Sequence, residues 1–423
     1  MNEIRKQTGV SRLFMIFIIF HGLYALTPLL RYTHTLIYCD FAIVLCYYWN
    51  FRHLMHKGHV INRSISQAYA LITVITVITL IYRVVGYSSA SYGTCVAYLS
   101  LFMSIIFGWY VTKYASITQQ RIIFWAYSII ILINVIYNIY ILQVVLAGVA
   151  IESLNETVSI YRIPNVGSTS FTAYTFFACL CFLICFLHSR DFFQKLITGL
   201  LFAVCIYYVI FCSMRGTTAM LFVIAFLLLT TDRFFKGSHA QKNVNFIIIL
   251  IFGLIYIFKE PFFQLLIEYA PNERLAARFQ DVLATTSSGV SDDSFTGRGT
   301  LFKISFNSWL NTSFTFLFGI GEPLMGDNNY AQAGISGHSD MVDQLAKYGI
   351  VGSFLFIRCL YLGYKYLKKE YLHTEQINPV KYMLLCFVAY GTIKIMYTDD
   401  CFLVMFVLFP IVLNFLRNNI KVV

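Results

Sequence analysis

Windows of about 20 predominantly apolar residues recur along almost the whole of this 423-residue chain, and that recurrence limits its fold more than any motif does. Inside a bilayer every backbone N–H and C=O must be satisfied within the protein, so apolar windows of this length become helices. About twelve can be drawn, near 12–30, 36–51, 67–85, 93–112, 122–148, 170–188, 194–211, 216–232, 244–262, 341–364, 380–397 and 399–417. The predicted fold is therefore all-α: a polytopic transmembrane helical bundle of about 12 spans. Composition agrees, with 58% hydrophobic and 12% charged residues against about 25% charged in an ordinary soluble domain. The first window is too long and too lightly flanked by small residues for a cleaved signal peptide, so it reads as a span.

A net charge of +11 invites a nucleic-acid reading, but the placement of the cations excludes it. With the N-terminus in the cytoplasm, most of the 31 Lys and Arg fall in short cytoplasmic connections, among them Arg52, Lys57, Arg63, Lys113, Arg121, Lys368 and Lys369. That asymmetry is the positive-inside rule. Most acidic residues fall on the opposite side, including Glu260, Asp281, Asp292, Asp340, Asp343 and Asp399. The predicted location is a membrane, multi-pass, with both termini cytoplasmic.

Most connections are short, whereas residues 263–340 form one long external segment that divides the chain into spans 1–9 (1–262), this loop, and spans 10–12 (341–423). A loop of this length in a compact bundle is functional or disordered, and its aromatic content argues against disorder. Within "LFKISFNSW" the residues Leu301, Phe302, Phe306 and Trp309 recur at helical spacing, which predicts a helix on or near the outer leaflet, followed by a Gly-rich turn. No internal repeat is evident. The paired Gly/Pro-interrupted spans expected of many secondary transporters are also lacking. Cys179, Cys181 and Cys185 share an apolar window with no His beside them, so they read as small buried residues rather than metal ligands. No metal site and no cofactor are expected.

Ionisable groups at the membrane boundary are costly and tend to mark function. They gather in "SGHSDMVDQLAKYGIVG" (336–352), at the mouth of the tenth window. Part of this has a plain structural reading: Ser339 as N-cap, Asp340 and Asp343 in the first turns, and Asp343 with Lys347 at i,i+4. Capping does not need His338, and an imidazole facing water holds or takes a proton near neutral pH. Arg215, in "FCSMRGTTAM", lies in a short turn on the side where the positive-inside rule disfavours it. It either snorkels to headgroups or grips a phosphate through its planar fork. Arg298, in "TGRG", has glycines on both sides that let backbone come close to a ligand. Arg274, Arg278 and Lys303 share its loop. Two Arg and a His on one face, without an acidic metal cage or a nucleotide-binding Gly loop, suit group transfer from a membrane-anchored pyrophosphate. The Arg residues would stabilise the leaving group, and His or a carboxylate would serve the acceptor hydroxyl.

The order of these motifs, "SMRG" (213–216), then "TGRGTLFKISFNSW…FGIGEP", then "GHSDMVDQLAKYGIVG", resembles the O-antigen polymerase and O-antigen ligase superfamily over roughly residues 160–360. These are bacterial inner-membrane glycosyltransferases that use undecaprenyl-pyrophosphate-linked glycans. The resemblance implies that Arg215 and Arg298 contact the donor pyrophosphate and that His338 acts at the acceptor. Substrate contacts from Arg162, Arg278, Asp340 and Asp343 would complete the site. Arg162, in "YRIPNVG", resembles an Arg that precedes a Gly/Asn turn in the family, at looser spacing. Ser339 and Asp340 follow His338 where ligases often carry Asn, which favours the polymerase branch. The implied partners are lipid-linked glycans, inner-membrane lipids and a chain-length regulator. A ligase passing glycan to a lipid A core, and a lipid-linked oligosaccharide flippase, are the competing readings.

Overall fold

The computed structural model describes residues 10–27, 63–86, 92–145, 169–188, 192–212, 224–226, 229, 257–270, 276–277, 279–280, 283–284, 296–321, 334–337, 339–371, 377–393 and 399–417. Among these residues every regular element is helical. They are α1 (Arg12–Leu26), α2 (Arg63–Val84), α3 (Tyr92–Tyr114), α4 (Ile117–Tyr140), α5 (Thr169–His188), α6 (Phe192–Tyr207), α7 (Lys259–Glu268), α8 (Thr296–Leu310), α9 (Ser313–Phe318), α10 (Asp340–Tyr371), α11 (Ile377–Ile393) and α12 (Asp399–Leu403). A last helix, α13 (Phe409–Arg417), continues α12 through a π-turn at Val404–Leu408. Further π-turns, Ile141–Val145 and Tyr208–Cys212, close α4 and α6.

Six stretches among the described residues are long and apolar enough to cross a membrane: Ser66–Val84, Ile117–Val145, Phe171–His188, Phe192–Ile210, Asp340–Tyr371 and Asp400–Arg417. Each falls on a window drawn from sequence, and α1 is a shorter apolar helix. Windows 36–51, 216–232 and 244–262 lie wholly or largely outside the described residues. Helix α7 runs through residue 262, where the ninth window ends.

Two of the six stretches are enclosed on nearly all sides, with 83% of the Phe171–His188 window and 89% of the Asp400–Arg417 window buried, against 29% for Ser66–Val84. The first pair forms the centre of the bundle and the last lies at its rim. Aromatic rings lock the centre together: Phe124 of α4 meets Phe182 of α5 at 6.4 Å and Phe415 of α13 at 5.7 Å. Phe387 of α11 meets Phe177 at 5.5 Å and Phe402 at 5.4 Å. Cys179, Cys181 and Cys185 are buried free thiols within α5, as their apolar window predicts.

Polar contacts divide the bundle into two ends. At one end Gln119 completes a capping box with Ser116 and, through its amide, exchanges two hydrogen bonds with Val10 backbone (2.9 and 2.8 Å), which ties the start of α1 to the α3–α4 corner. Beside it Asn414 donates to the Thr112 carbonyl (3.1 Å) and to Gln120 Oε1 (3.3 Å), and accepts from the Tyr371 hydroxyl at 2.9 Å. Arg417 pairs with Glu370 at 2.9 Å. Arg12, Lys113, Arg121, Lys368 and Lys369 all belong to helix termini at this end. The opposite end gathers the finish of α1, where Tyr174 donates to the Leu26 carbonyl (3.1 Å), with the finish of α2, the π-turns of α4 and α6, and the described parts of 296–343 (296–321, 334–337 and 339–343). This up-and-down alternation is what the window boundaries and the charge placement predict for these helices.

Candidate functional site

The helix predicted in "LFKISFNSW" is present, and it begins earlier than its apolar spacing suggests, at Thr296. "TGRG" is consequently the first turn of α8 and not an open loop. Its backbone amides lie among those an α-helix leaves without intrahelical partners, where the helix dipole favours anions. Among the α8 side chains that are described (302–310), Ser305 is buried, while Phe306 and Leu310 are exposed. Helix α9 presents Phe314, Phe316, Leu317 and Phe318 outward as well. Trp309 holds the two helices together by stacking on Phe316 at 5.2 Å and donating its indole N–H to the Phe316 carbonyl at 2.9 Å. The aromatic face of this pair is thus turned away from the protein, as the surface of an interfacial element would be.

After α9 the chain meets α10 at a break. Gly349 has φ +60 and ψ −164, so the tenth window, which reads as one continuous span, is two helical pieces joined at Gly349. A break in a spanning helix leaves carbonyls without their i+4 donors and is tolerated only where other groups supply them. Here the Gly-rich turn does so: Ile320 N–H donates to the Ala346 carbonyl (2.8 Å) and Gly321 N–H to the Lys347 carbonyl (2.9 Å). Tyr82, near the end of α2, donates to the Phe318 carbonyl at 2.8 Å, and its ring faces Tyr348 at 6.2 Å. Beside the break a small crevice of about 10 Å³, room for one water, lies between α2 and α10. Ile75, Ile78 and Leu355 make it apolar, and Thr79, Gln344 and Tyr348 give it a polar side.

The first piece of α10 carries the acidic residues. Ser339 is its N-cap, accepting from Val342 N–H at 3.3 Å, as the sequence predicts. Asp340 is half-buried. Asp343 is 4% exposed, and its Oδ1 accepts from the Ser305 hydroxyl (2.6 Å), the Ser336 hydroxyl (2.7 Å) and the Ser336 N–H (3.0 Å). Ser336 N–H also reaches the Ser305 hydroxyl at 2.7 Å. The partners described for Asp343 are these serines, and the i,i+4 reading with Lys347 is not what binds it.

One carboxylate therefore joins α8, the segment 334–337 and α10. Arg298 has its backbone in the first turn of α8. His338, Arg215, Arg162 and Arg278 lie outside the described residues. Cys212, three residues before Arg215, accepts from the Gln143 amide at 3.4 Å, so the π-turns of α4 and α6 meet at the same end of the bundle as the Asp343 cluster. Residues that sequence reasoning passed over are Ser305, Ser336, Tyr82 and the Gly319/Gly349 pair. Ser305 alone had a signal, as a small polar residue inside an otherwise apolar spacing. Among the described residues no group of His, Cys, Asp and Glu has the arrangement of a metal site. No protein-family model matches the chain, and no curated protein is significantly similar to it.

Proposed function

We propose that the chain is an inverting glycosyltransferase of the bacterial inner membrane. It polymerises undecaprenyl-pyrophosphate-linked repeat units into O-antigen or a related surface polysaccharide at the periplasmic face. The glycan on one lipid carrier passes from its reducing end to a hydroxyl of the incoming lipid-linked unit: the bond from the anomeric carbon to the pyrophosphate oxygen breaks, a glycosidic bond forms, and undecaprenyl pyrophosphate leaves. Arg215 and Arg298 neutralise the charge that grows on the departing pyrophosphate. His338 takes the proton of the acceptor hydroxyl or orients it. Arg162, Arg278 and Asp340 contribute substrate contacts. The reaction calls for no nucleotide and no metal.

The observation that carries this reading is the junction of α8, which bears position 298, with segment 334–337 and the start of α10, made by Ser305, Ser336 and Asp343. Two further features support it. A helix N-terminus at 296–298 adds its own attraction for a phosphate to that of a nearby guanidinium. The outward-facing aromatic side chains of α8 and α9 offer an apolar surface next to the polar junction, which a polyprenyl-borne pyrophosphate requires. A chain-length regulator is the implied protein partner.

The experiment is elongation by purified protein of lipid-linked repeat units extracted from the host membrane, with no energy source. A polymerase lengthens the glycan on its lipid carrier. An O-antigen ligase leaves the glycan unlengthened and moves it from the carrier to a lipid A core when one is supplied, and a flippase moves the glycan across a vesicle bilayer without lengthening it.

A further inference from the structure

Asp343 sits where a charged group carries a large desolvation penalty unless donors surround it. Three hydrogen bonds to one carboxylate oxygen supply them, two from hydroxyls and one from a backbone amide. The donors come from two segments, seven and 38 residues away in the chain. An apolar side chain would fill the same space without the penalty but would take the carboxylate acceptor away from both serine hydroxyls, while the Ser336 amide would keep the Ser305 hydroxyl.

What this arrangement fixes is specific. Ser305 is seven residues from position 298, and at about 100° per residue seven residues bring the helix round to nearly the same face. The face of α8 drawn toward Asp343 is thus the face on which position 298 falls. Asp343 also holds the chain on both sides of position 338. Its carboxylate binds Ser336, and its own N–H donates to the Ser339 carbonyl at 2.8 Å.

We propose that Asp343 is a positioning residue for glycan transfer, a clamp that holds α8, which bears position 298, in register with segment 334–337 and the start of α10, which flank position 338. The role rests on the transfer reaction proposed above. It differs from direct substrate contact by Asp343, the role expected from the sequence.

The test uses the purified full chain carrying Asp343→Ala, Asp343→Asn, Ser305→Ala or Ser336→Ala. It reads kcat and KM for elongation of extracted lipid-linked repeat units, together with hydrogen exchange of peptides covering 334–337 and 112–120. Asp343→Ala lowers kcat on the order of a hundredfold, the scale of a displacement of about 1 Å between reacting groups. KM stays close to wild type. Exchange rises at 334–337 and not at 112–120. Asp343→Asn, whose amide oxygen still accepts the serine hydroxyls, keeps a much larger share of kcat. Combining Ser305→Ala with Asp343→Ala is no worse than Asp343→Ala alone, because both break one unit. If Asp343→Ala does not fold, Ser336→Ala and Asp343→Asn give the same two readouts at smaller amplitude. Raised exchange with unchanged kcat overturns the clamp. So does a rise in KM with unchanged exchange, which makes Asp343 a substrate contact. Normal elongation by both Arg298→Ala and His338→Ala removes the transfer reading and the clamp's role with it. Loss in those two with full activity in Asp343→Ala removes the clamp alone.

Discussion

Gly319 and Gly349 lie back to back. A Cβ on Gly319 would strike the Lys347–Tyr348 peptide, and one on Gly349 would strike the Leu317–Phe318 peptide. Both residues have positive φ, +77 and +60, so each position is closed to side chains by conformation as well as by space. This contact lets the Gly-rich turn reach the carbonyls that the break in α10 leaves open. Gly319→Ala and Gly349→Ala should each destabilise the protein by about 2 kcal/mol or more, from the left-handed backbone and the overpacking together. Thermal unfolding in detergent reads the change. A wild-type melting temperature in either variant would disprove the interlock.

The two polar ends predict sidedness. Position 10 and the 116–120 corner belong with Arg417 and Lys368 on the cytoplasmic side, and 296–343 belongs outside. A periplasm-active reporter fused near Asn311 should be active, and one fused after Arg417 silent. The reverse pattern would place the proposed reaction in the wrong compartment.

His338→Ala should abolish or strongly reduce chain extension with protein level and donor binding nearly intact, since the imidazole serves the acceptor half of the reaction. Chain-length profiles on gels, with protein matched, report this. A wild-type ladder would return His338 to the ordinary residues of a capping segment.

The opposite end should behave differently. Asn414→Ala takes a donor from the Gln120 amide oxygen and the Thr112 carbonyl, while the Tyr371 hydroxyl keeps the Pro410 carbonyl, at a cost of about 1 kcal/mol in stability. Specific activity of the folded fraction should hold. A loss of kcat with unchanged melting would mean that this end takes part in the reaction.

How far the sequence reads through to this structure depends on whether the cause is local. Hydropathy alone placed α2, α4, α5, α6 and the final α12–α13 run, because burial in lipid acts on each window separately. Ser339 as a cap was equally legible, since the bond it makes is three residues long. The break at Gly349 was not. "AKYGIVGSF" continues the apolar pattern, and what opens it is the backbone of 317–321, a partner about thirty residues away. Asp343 misled for the same reason, as Lys347 at i+4 is visible in sequence while Ser305, 38 residues back, is not. Glycines beside Arg298 suggested an open loop, whereas the following apolar spacing carries the helix back through them to Thr296.

The measurement closest to the central claim separates charge from geometry at the pyrophosphate. If Arg215 and Arg298 hold it through planar, bidentate contacts, Lys preserves the charge and loses the fork. Each Arg→Lys change should then be nearly as damaging as Arg→Ala, on the order of 3 kcal/mol or a hundredfold in rate. Arg274→Lys, outside the proposed contacts, serves as a control that keeps activity. The readout is polymer formed from purified lipid-linked repeat units at matched protein levels. The account predicts loss in both Arg215→Lys and Arg298→Lys. Full activity in both would contradict it.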